Sequence, residues 1–378
     1  MTALAASGKL LIVGGGIAGM ALAIALKRAG MSCEVVELNP QWTVGGLGIG
    51  LGGPALRALK MIGLIDQCVA RGFGYSYFNA ADAQGNVLGT VQMPRMNGPD
   101  YPATIGIMRH DLHVVLQQAM READVPIRLG VTVTTLAQDD DGVDVGFTDG
   151  TSGRYDVVVA ADGANSKIRD MLFGPQWRPK YTGQAVWRAT VSRPAEVQSR
   201  TSYHGPRHKA GYNPMSERHM YLYLVQNLPK FVRLADAQLP GVLRELLSDF
   251  GGLIGAARAE IDDPNDIAYR PITSLIMPPP WHQGRVLLIG DAAHTITPHM
   301  AAGAGIAIED SIVLAELLRT EPSPQRAFEA FMTRRFERCR LVVDNSLQLG
   351  EWEKAPTTPG ADPVRVEGET VRALAQPF

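Results

Sequence analysis

Leu10-Leu11-Ile12-Val13-Gly14-Gly15-Gly16-Ile17-Ala18-Gly19 is the stretch that decides the fold. Four apolar, β-prone residues give way to glycines, then to a helical stretch, Met20–Arg28, which Gly30 closes. Glu34–Leu38 reads as the next strand. The order strand, turn, helix, strand is a βαβ unit and predicts a parallel sheet. Gly14, Gly16 and Gly19 form a GxGxxG pattern. The turn needs one residue without a side-chain clash, a pyrophosphate needs close backbone approach, and helix must pack tightly on strand. The helix start, here Ile17 and Ala18, offers free N–H groups to phosphates. Glu37 ends the second strand, where its carboxylate can accept bonds from the hydroxyls of an adenosine ribose. These features point to a bound dinucleotide.

Outward from that unit, Gly45–Gly53 is too glycine-dense for regular structure throughout. Pro54–Ile62 and Asp111–Glu122 have helical spacing, and Phe73–Met93 reads as strands with a turn at Gln84–Asn86. Strands are expected around Ile127–Val133, Val143–Phe147 and Tyr155–Ala160, the last two in an antiparallel meander. From Gln184 to Met277 the strands Val186–Val191, Met220–Gln226 and Ile267–Ile276 suggest a second, mostly antiparallel sheet. Arg285–Ile289 reads as a core strand, followed by long helices at Ala304–Leu318 and Pro324–Val343. The expectation is an α/β fold in two domains. A discontinuous dinucleotide-binding domain takes 1–72, 104–175 and 282–350, and a substrate domain takes 73–103 and 176–281. The tail, 351–378, is expected to wrap the surface or move freely.

Two further motifs narrow the ligand. Val286–Gly290 runs into Asp291-Ala292-Ala293-His294, then Pro298 and a glycine-bearing helix start, Gly303-Ala304-Gly305. Asp291 is placed to bond a ribityl hydroxyl, and the helix start to face the negative end of a reduced flavin. Ala160-Ala161-Asp162-Gly163-Ala164-Asn165-Ser166-Lys167-Ile168-Arg169 ends another strand. Alone, it reads equally as a helix-capping Asp-Gly turn.

Bulk composition excludes several classes. Of 378 residues, 46% are hydrophobic and 20% charged, as in ordinary globular chains. The net charge of −2 gives no attraction to nucleic acid or to an anionic membrane. Three scattered cysteines, Cys33, Cys68 and Cys339, show neither a metal spacing nor a disulfide framework, so no metal and a cytoplasmic location are expected. The apolar run at the start is short and reads as a strand, not a signal peptide. The arginines at 334, 335, 338 and 340 read as a solvated helix face.

The order GGGIAG…Glu37, DGANSKIR, GDAAHTITP resembles the p-hydroxybenzoate hydroxylase family of flavoprotein monooxygenases, from Leu10 to about Ser346. The resemblance implies FAD, NADH or NADPH as reductant, O2 as co-substrate, and a flavin C4a-hydroperoxide that hydroxylates a small aromatic ring. It implies a monomer or homodimer with no nucleic-acid or membrane partner. By motif, Glu37 corresponds to the ribose ligand, Arg109 in MRHDLH to an FAD contact, Asp162 to the motif shared by FAD and NAD(P)H, and Asp291 to the ribityl ligand. Leu47-Gly48-Ile49 resembles the segment along the flavin, and Trp187-Arg188 a pair found after the Asp-Gly motif. The chain departs from the family in carrying the run Ala302-Gly303-Ala304-Gly305 where many members have Gly-Gln-Gly, and no basic residue in Gln41–Val44. Pro298-His299-Met300-Ala301 with the later AIED is similar to 6-hydroxynicotinate 3-monooxygenase-type members, as is Arg207-His208 with Tyr212. Gly50 replaces the histidine expected there.

The expected substrate is a phenol or hydroxypyridine, whose ring hydroxyl must lose a proton. His299, His208 and Tyr212 are the candidates for that step. Arg188, Tyr203, Tyr223, Pro298 and Met300 are the candidates for substrate contact. The competing readings are a reductase or dehydrogenase of the same fold that inserts no oxygen, and a non-catalytic flavin- or prenyl-binding protein.

Overall fold

The computed structural model describes residues 8–378. Strand β1 (Leu10–Val13) is buried on both faces, as a central parallel strand must be. Helix α1 (Ile17–Arg28) leads to β2 (Cys33–Glu37). β3 (Gly48–Gly52), α2 (Gly53–Met61) and α3 (Ile65–Arg71) follow, then β4 (Phe73–Tyr75), β5 (Tyr77–Asp82), β6 (Val87–Gln92) and β7 (Thr104–Met108). Helix α4 (Arg109–Glu122) precedes β8 (Ile127–Leu129), and β9 (Val133–Gln138), β10 (Val143–Phe147) and β11 (Ser152–Tyr155) form a three-stranded meander. β12 (Val157–Ala160) and α5 (Lys167–Phe173) come next. The six-stranded sheet has the order β18-β19-β12-β1-β2-β8, where β18 is His282–Gln283 and β19 is Val286–Leu288. All its pairs are parallel except β18 with β19.

The second sheet has eight strands, in the order β20-β17-β13-β16-β15-β14-β5-β6. Its members not yet given are β13 (Lys180–Ser192), β14 (Arg200–His204), β15 (Lys209–Pro214), β16 (His219–Asn227), β17 (Ile267–Ile276) and β20 (His294–Thr295). Helices α6 (Leu239–Leu246) and α7 (Gly252–Ala257) cover one face. Register assigns side chains to faces. β16 pairs Leu224 with Trp187 and Tyr223 with Arg188, and it pairs Leu222 with Tyr212 of β15. Trp187, Tyr203, Tyr212, Leu222 and Leu224 are therefore buried with Leu239, Leu243 and Ile254 in a core beneath the helices. Trp187 stacks on Tyr269 with ring centroids 4.0 Å apart. Arg188, Asn213, Tyr221 and Tyr223 occupy the opposite face, toward β3.

Three expectations need correction. Tyr155–Ala160 is not one strand: Tyr155 ends the meander, and Val157 starts a parallel strand in the other sheet. The strand at Ile127 stops at Leu129, and Val133 opens a different sheet. The arginines at 334, 335, 338 and 340 do not form one solvated face: Arg335 is fully buried against Glu309 and Asp310, and Arg338 binds Glu309. Of the two readings of the tail, the one that lays it over the surface fits the structure. After α8 (Gly303–Thr320) and α9 (Pro324–Lys354), the chain forms α10 (Pro363–Ala375), which starts on an Asp362 cap and buries Val366, Thr370 and Leu374. No helix among the described residues is long and apolar enough to cross a membrane.

Candidate active site

The carboxyl ends of β1, β2, β12 and β19 share one edge of the parallel sheet, the edge where ligands bind in such folds. At β1, Gly14 has φ +109°, and a Cβ there would lie 2.4 Å from the Ala161 carbonyl oxygen. A Cβ on Gly19 would lie 1.9 Å from the Gly14 carbonyl oxygen, so only glycine permits this helix–strand approach. A Cβ on Gly16 would meet nothing within 4 Å. That side of the turn is open, as a phosphate cradle requires. Glu37 accepts the N–H of Gly15 and of Asn39, each at 2.7 Å, one on each carboxylate oxygen. The carboxylate thus shapes the glycine turn and keeps lone pairs free for a ligand. Trp42 Nε1 donates to the Gly15 carbonyl at 2.9 Å and braces the turn from behind.

Two helices present uncapped N-termini to this cleft. Neither α1 nor α8 has a capping side chain or an acidic residue in its first turn. Their first N–H groups and positive dipole ends are available to an anion. Before α8, Pro298–Met300 forms a short turn and Ala301 takes a left-handed conformation, φ +50°. A Cβ on Gly305 would lie 3.0 Å from Ala55 Cβ, which shows how closely α8 packs on α2.

The Asp-Gly and Gly-Asp motifs touch each other. Asp162 Oδ2 accepts the N–H of Lys167 at 2.9 Å and of Ile168 at 3.2 Å, while its buried Oδ1 has no partner. Burial raises the Asp162 pKa, and hydrogen bonds from Ser166 and Ile168 oppose it. Arg169 donates to the Ala164 carbonyl at 2.8 Å and to the Ala292 carbonyl at 3.0 Å, and so bridges the two motifs. Asp291 is reached by solvent from the cleft but is otherwise walled by protein. That enclosure raises its pKa against the pull of His294 and Arg109. Arg109 lies beside the glycine strand: its N–H donates to Leu47 O at 2.8 Å, and its buried Nε has no partner. Burial lowers the Arg109 pKa, as does Arg188; Asp291 counters both.

Beneath the Gly-Asp turn lies a closed ionic network. Asp310 Oδ2 accepts the N–H of Gly290 at 3.0 Å and lies 2.6 Å from His294 Nε2. Asp310 Oδ1 accepts from Arg335 Nε at 2.8 Å. His294, Asp310 and Cys339 offer atoms within 4.8 Å of one another, but the Arg335 guanidinium already supplies the positive charge there.

The second sheet closes the cleft from the other side. A Cβ on Gly48 would lie 2.6 Å from the Tyr221 ring and 2.3 Å from Met215 Sδ, so the glycine strand and this face are in contact. Arg188 sits over the Tyr221 ring at 5.7 Å, and the rings of Tyr221 and Tyr223 are 6.2 Å apart. The hydroxyl of Tyr223 and Oδ1 of Asn213 are buried without partners. Arg200 stacks on Phe78 at 5.0 Å. Burial works against its charge, but Tyr223, Tyr75 and Tyr221 outweigh that, Tyr223 also through its hydroxyl, and raise its pKa. A Cβ on Gly50 would meet only Asn213 Nδ2, at 3.4 Å, so the missing histidine leaves open space.

At the far end of this face, His299 Nδ1 lies 2.9 Å from Thr297 Oγ1, and its Nε2 lies 3.3 Å from Glu353 Oε2. The second contact is an ion-pair distance but misses hydrogen-bond alignment, and both atoms lack another partner. Glu353 also pairs with Lys209. Burial pushes the Glu353 pKa up, but His299 and Lys209 prevail and hold it at about 2.

A family profile described as "FAD binding domain" matches residues 8–346. The chain belongs to the FAD-binding-domain family. A 2-heptyl-3-hydroxy-4(1H)-quinolone synthase of Pseudomonas aeruginosa is 30% identical over 356 residues, covering 91% of this chain and 90% of that protein. A 6-hydroxynicotinate 3-monooxygenase of Pseudomonas fluorescens is 30% identical, with 89% of each chain covered. The crystal structure of Klebsiella pneumoniae HpxO complexed with FAD and uric acid superposes with a TM-score of 0.82 at 23% identity, covering 98% of this chain and 97% of that one.

The cleft fits FAD on its own features: the open side of Gly16, the two uncapped helix starts, and the orphaned Asp162 Oδ1 and Arg109 Nε. The structure places Gly14, Gly16, Ile17, Ala18, Gly19, Glu37, Leu47, Gly48, Arg109, Asp162, Asp291, Pro298, Gly303, Ala304 and Gly305 on the strand ends, turns and helix starts around this cleft. Arg188, Tyr223 and Met300 also border it. It does not place three others there. Tyr203 and Tyr212 point into the core under α6, with ring centroids 5.9 Å apart. His208 lies by Arg207 and Asp249 in the turn that joins β14 to β15, where burial lowers its pKa. The residues missed from sequence are Asn213, Tyr221, Arg200, Lys209 and Glu353. Their strand parity and long-range pairing leave no local signal.

Proposed function

We propose that the chain is an FAD-dependent monooxygenase that hydroxylates a small, electron-rich aromatic ring bearing an anionic group, of the phenol or hydroxypyridine type. The observation that carries this reading is the pairing of an FAD cleft with a face of arginines and phenols, Arg188, Arg200, Tyr221 and Tyr223. Bound FAD, reduced by NADH or NADPH, would supply the activation of O2. One oxygen atom enters a ring C–H bond, and the other leaves as water.

The chain's own residues bind, orient and exclude water. Arg200 has no acidic partner, so an anionic substituent offers it the charge the protein withholds. The partnerless Tyr223 hydroxyl and Asn213 carbonyl oxygen can hold a ring hydroxyl or ring nitrogen, since unpaired buried polar groups favour a ligand that pairs them. Gly50 leaves room for ring substituents. Removal of the ring-hydroxyl proton is assigned to His299, because Tyr212 lies in the core under α6 and His208 beside Arg207 and Asp249. Its two nitrogens lie beside Thr297 and Glu353.

The test is a panel of hydroxypyridines and hydroxybenzoates, with and without a carboxylate, incubated with the flavin-loaded protein, NADH or NADPH and 18O2. Product one labelled oxygen heavier, for the carboxylated compounds first, is the expected result. Stimulated NAD(P)H oxidation with no label in any product would replace this reading with a reductase.

A further inference from the structure

We propose that α10 is a clasp for cofactor retention: its last turn ties together two segments that flank the FAD cleft, α2 behind the glycine strand and the Gly290–Asp291 loop. Helix α10 lies outside residues 8–346 matched by the family profile.

The ties are specific and converge on the helix's C-terminal carbonyls, which would otherwise be unpaired. Arg57 of α2 donates to the carbonyls of Ala375 at 2.7 Å and Leu374 at 2.9 Å. Arg338 of α9 donates to Ala373 at 3.0 Å and to the same Leu374 carbonyl at 2.9 Å. Two cations at the negative end of a helix dipole are favourably placed. The Phe378 ring lies 5.2 Å from the Arg57 guanidinium and 5.8 Å from those of Arg335 and Arg338. From there the network runs inward. Arg338 makes two bonds to Glu309, at 2.7 and 2.8 Å; Arg335 joins Glu309 to Asp310; and Asp310 holds the Gly290 N–H. Glu309, Asp310 and Arg335 are fully buried, so each has its charge satisfied only within this chain of contacts. Removing one member leaves an uncompensated buried charge beside the loop.

The experiment uses the full chain with FAD removed and restored. FAD affinity is read by flavin fluorescence, and apoprotein melting is recorded alongside. Arg57→Gln, Arg338→Gln and the milder Phe378→Ala are compared with Arg365→Gln, which breaks only exposed pairs with Glu369 and Asp362 and leaves the C-terminal carbonyls of α10 untouched. The first three are expected to weaken FAD binding about tenfold and to speed FAD release; apoprotein melting falls for the two arginine variants, which strip buried Glu309 of a partner, and little for Phe378→Ala. Arg365→Gln is expected to stay within about twofold of wild type. Cleavage by protease within residues 355–362 reports release of α10. If α10 is released and FAD affinity stays within about twofold, the clasp is refuted. Equal loss of melting temperature with unchanged FAD affinity refutes it as well. None of these readouts needs an aromatic substrate, so they succeed or fail independently of the proposed reaction.

Discussion

Arg169 donates to the carbonyl oxygen of Ala292 at 3.0 Å, across 123 positions of sequence. The Asp-Gly and Gly-Asp motifs are therefore one structural unit. Its guanidinium is buried, and burial lowers its pKa against Asp170 and Asp162. Arg169→Met keeps length and apolar contact but leaves the Ala164 and Ala292 carbonyls without this donor. The expected cost is about 2–3 kcal/mol, read from urea unfolding, with weaker FAD binding. An unchanged unfolding midpoint would show that the bridge carries no weight.

Gly14 and Gly16 should fail differently. Gly14→Ala puts a methyl against the Ala161 carbonyl in a left-handed backbone and should destabilise the apoprotein by about 1–3 kcal/mol. Gly16→Val adds its side chain to open space, so apoprotein melting should hold while FAD binding is lost. Equal FAD affinity in Gly16→Val and wild type would mean that phosphates do not lie against this turn.

The buried pairing of Glu353 predicts an acid-sensitive step. Its folded pKa of about 2 lies below its ordinary 4.5, so the pairing stabilises in full above pH 4.5 and is lost as pH falls toward 2. At about 1.4 kcal/mol per unit the contribution is on the order of 3 kcal/mol. The same pair raises Lys209 above its ordinary 10.5, so its contribution is also lost at the alkaline end, as pH rises through the folded value of Lys209. Glu353→Gln should flatten the acid limb of stability against pH. A limb as steep as in wild type would assign the effect to other carboxylates.

Two tyrosines on adjacent strands give a sharp contrast. Tyr223→Phe should raise KM about tenfold by removing a partnerless hydroxyl from the cleft. Tyr212→Phe should leave kcat and KM within about twofold, because that ring belongs to the core under α6. If Tyr212→Phe abolished turnover at normal stability, the face assignment of β15 would be reversed.

This pair also shows what could be read from the sequence. The βαβ unit was legible because its signals are local: an apolar strand, glycines where no Cβ fits, and an acid at the next strand end. Tyr212 was not, because Lys209–Pro214 is apolar or buried on both faces, and a one-residue parity decides which side chain meets the cleft. The Lys209–Glu353 pair joins positions 144 residues apart, with no spacing to betray it. Helix α10 did leave a sign, an Asp-Pro pair at 362–363 of the kind that starts helices, overlooked among the other prolines.

Helix α9 reaches from beneath the Gly290 loop to the rim of the aromatic cleft. Arg335 and Glu353 stand 18 positions apart on it, about 27 Å along the axis. One rigid rod thus gauges the distance between cofactor and substrate compartments. Loss or gain of a single residue between them would turn one end by about 100° against the other, so this interval tolerates exchange of side chains but not a change of length.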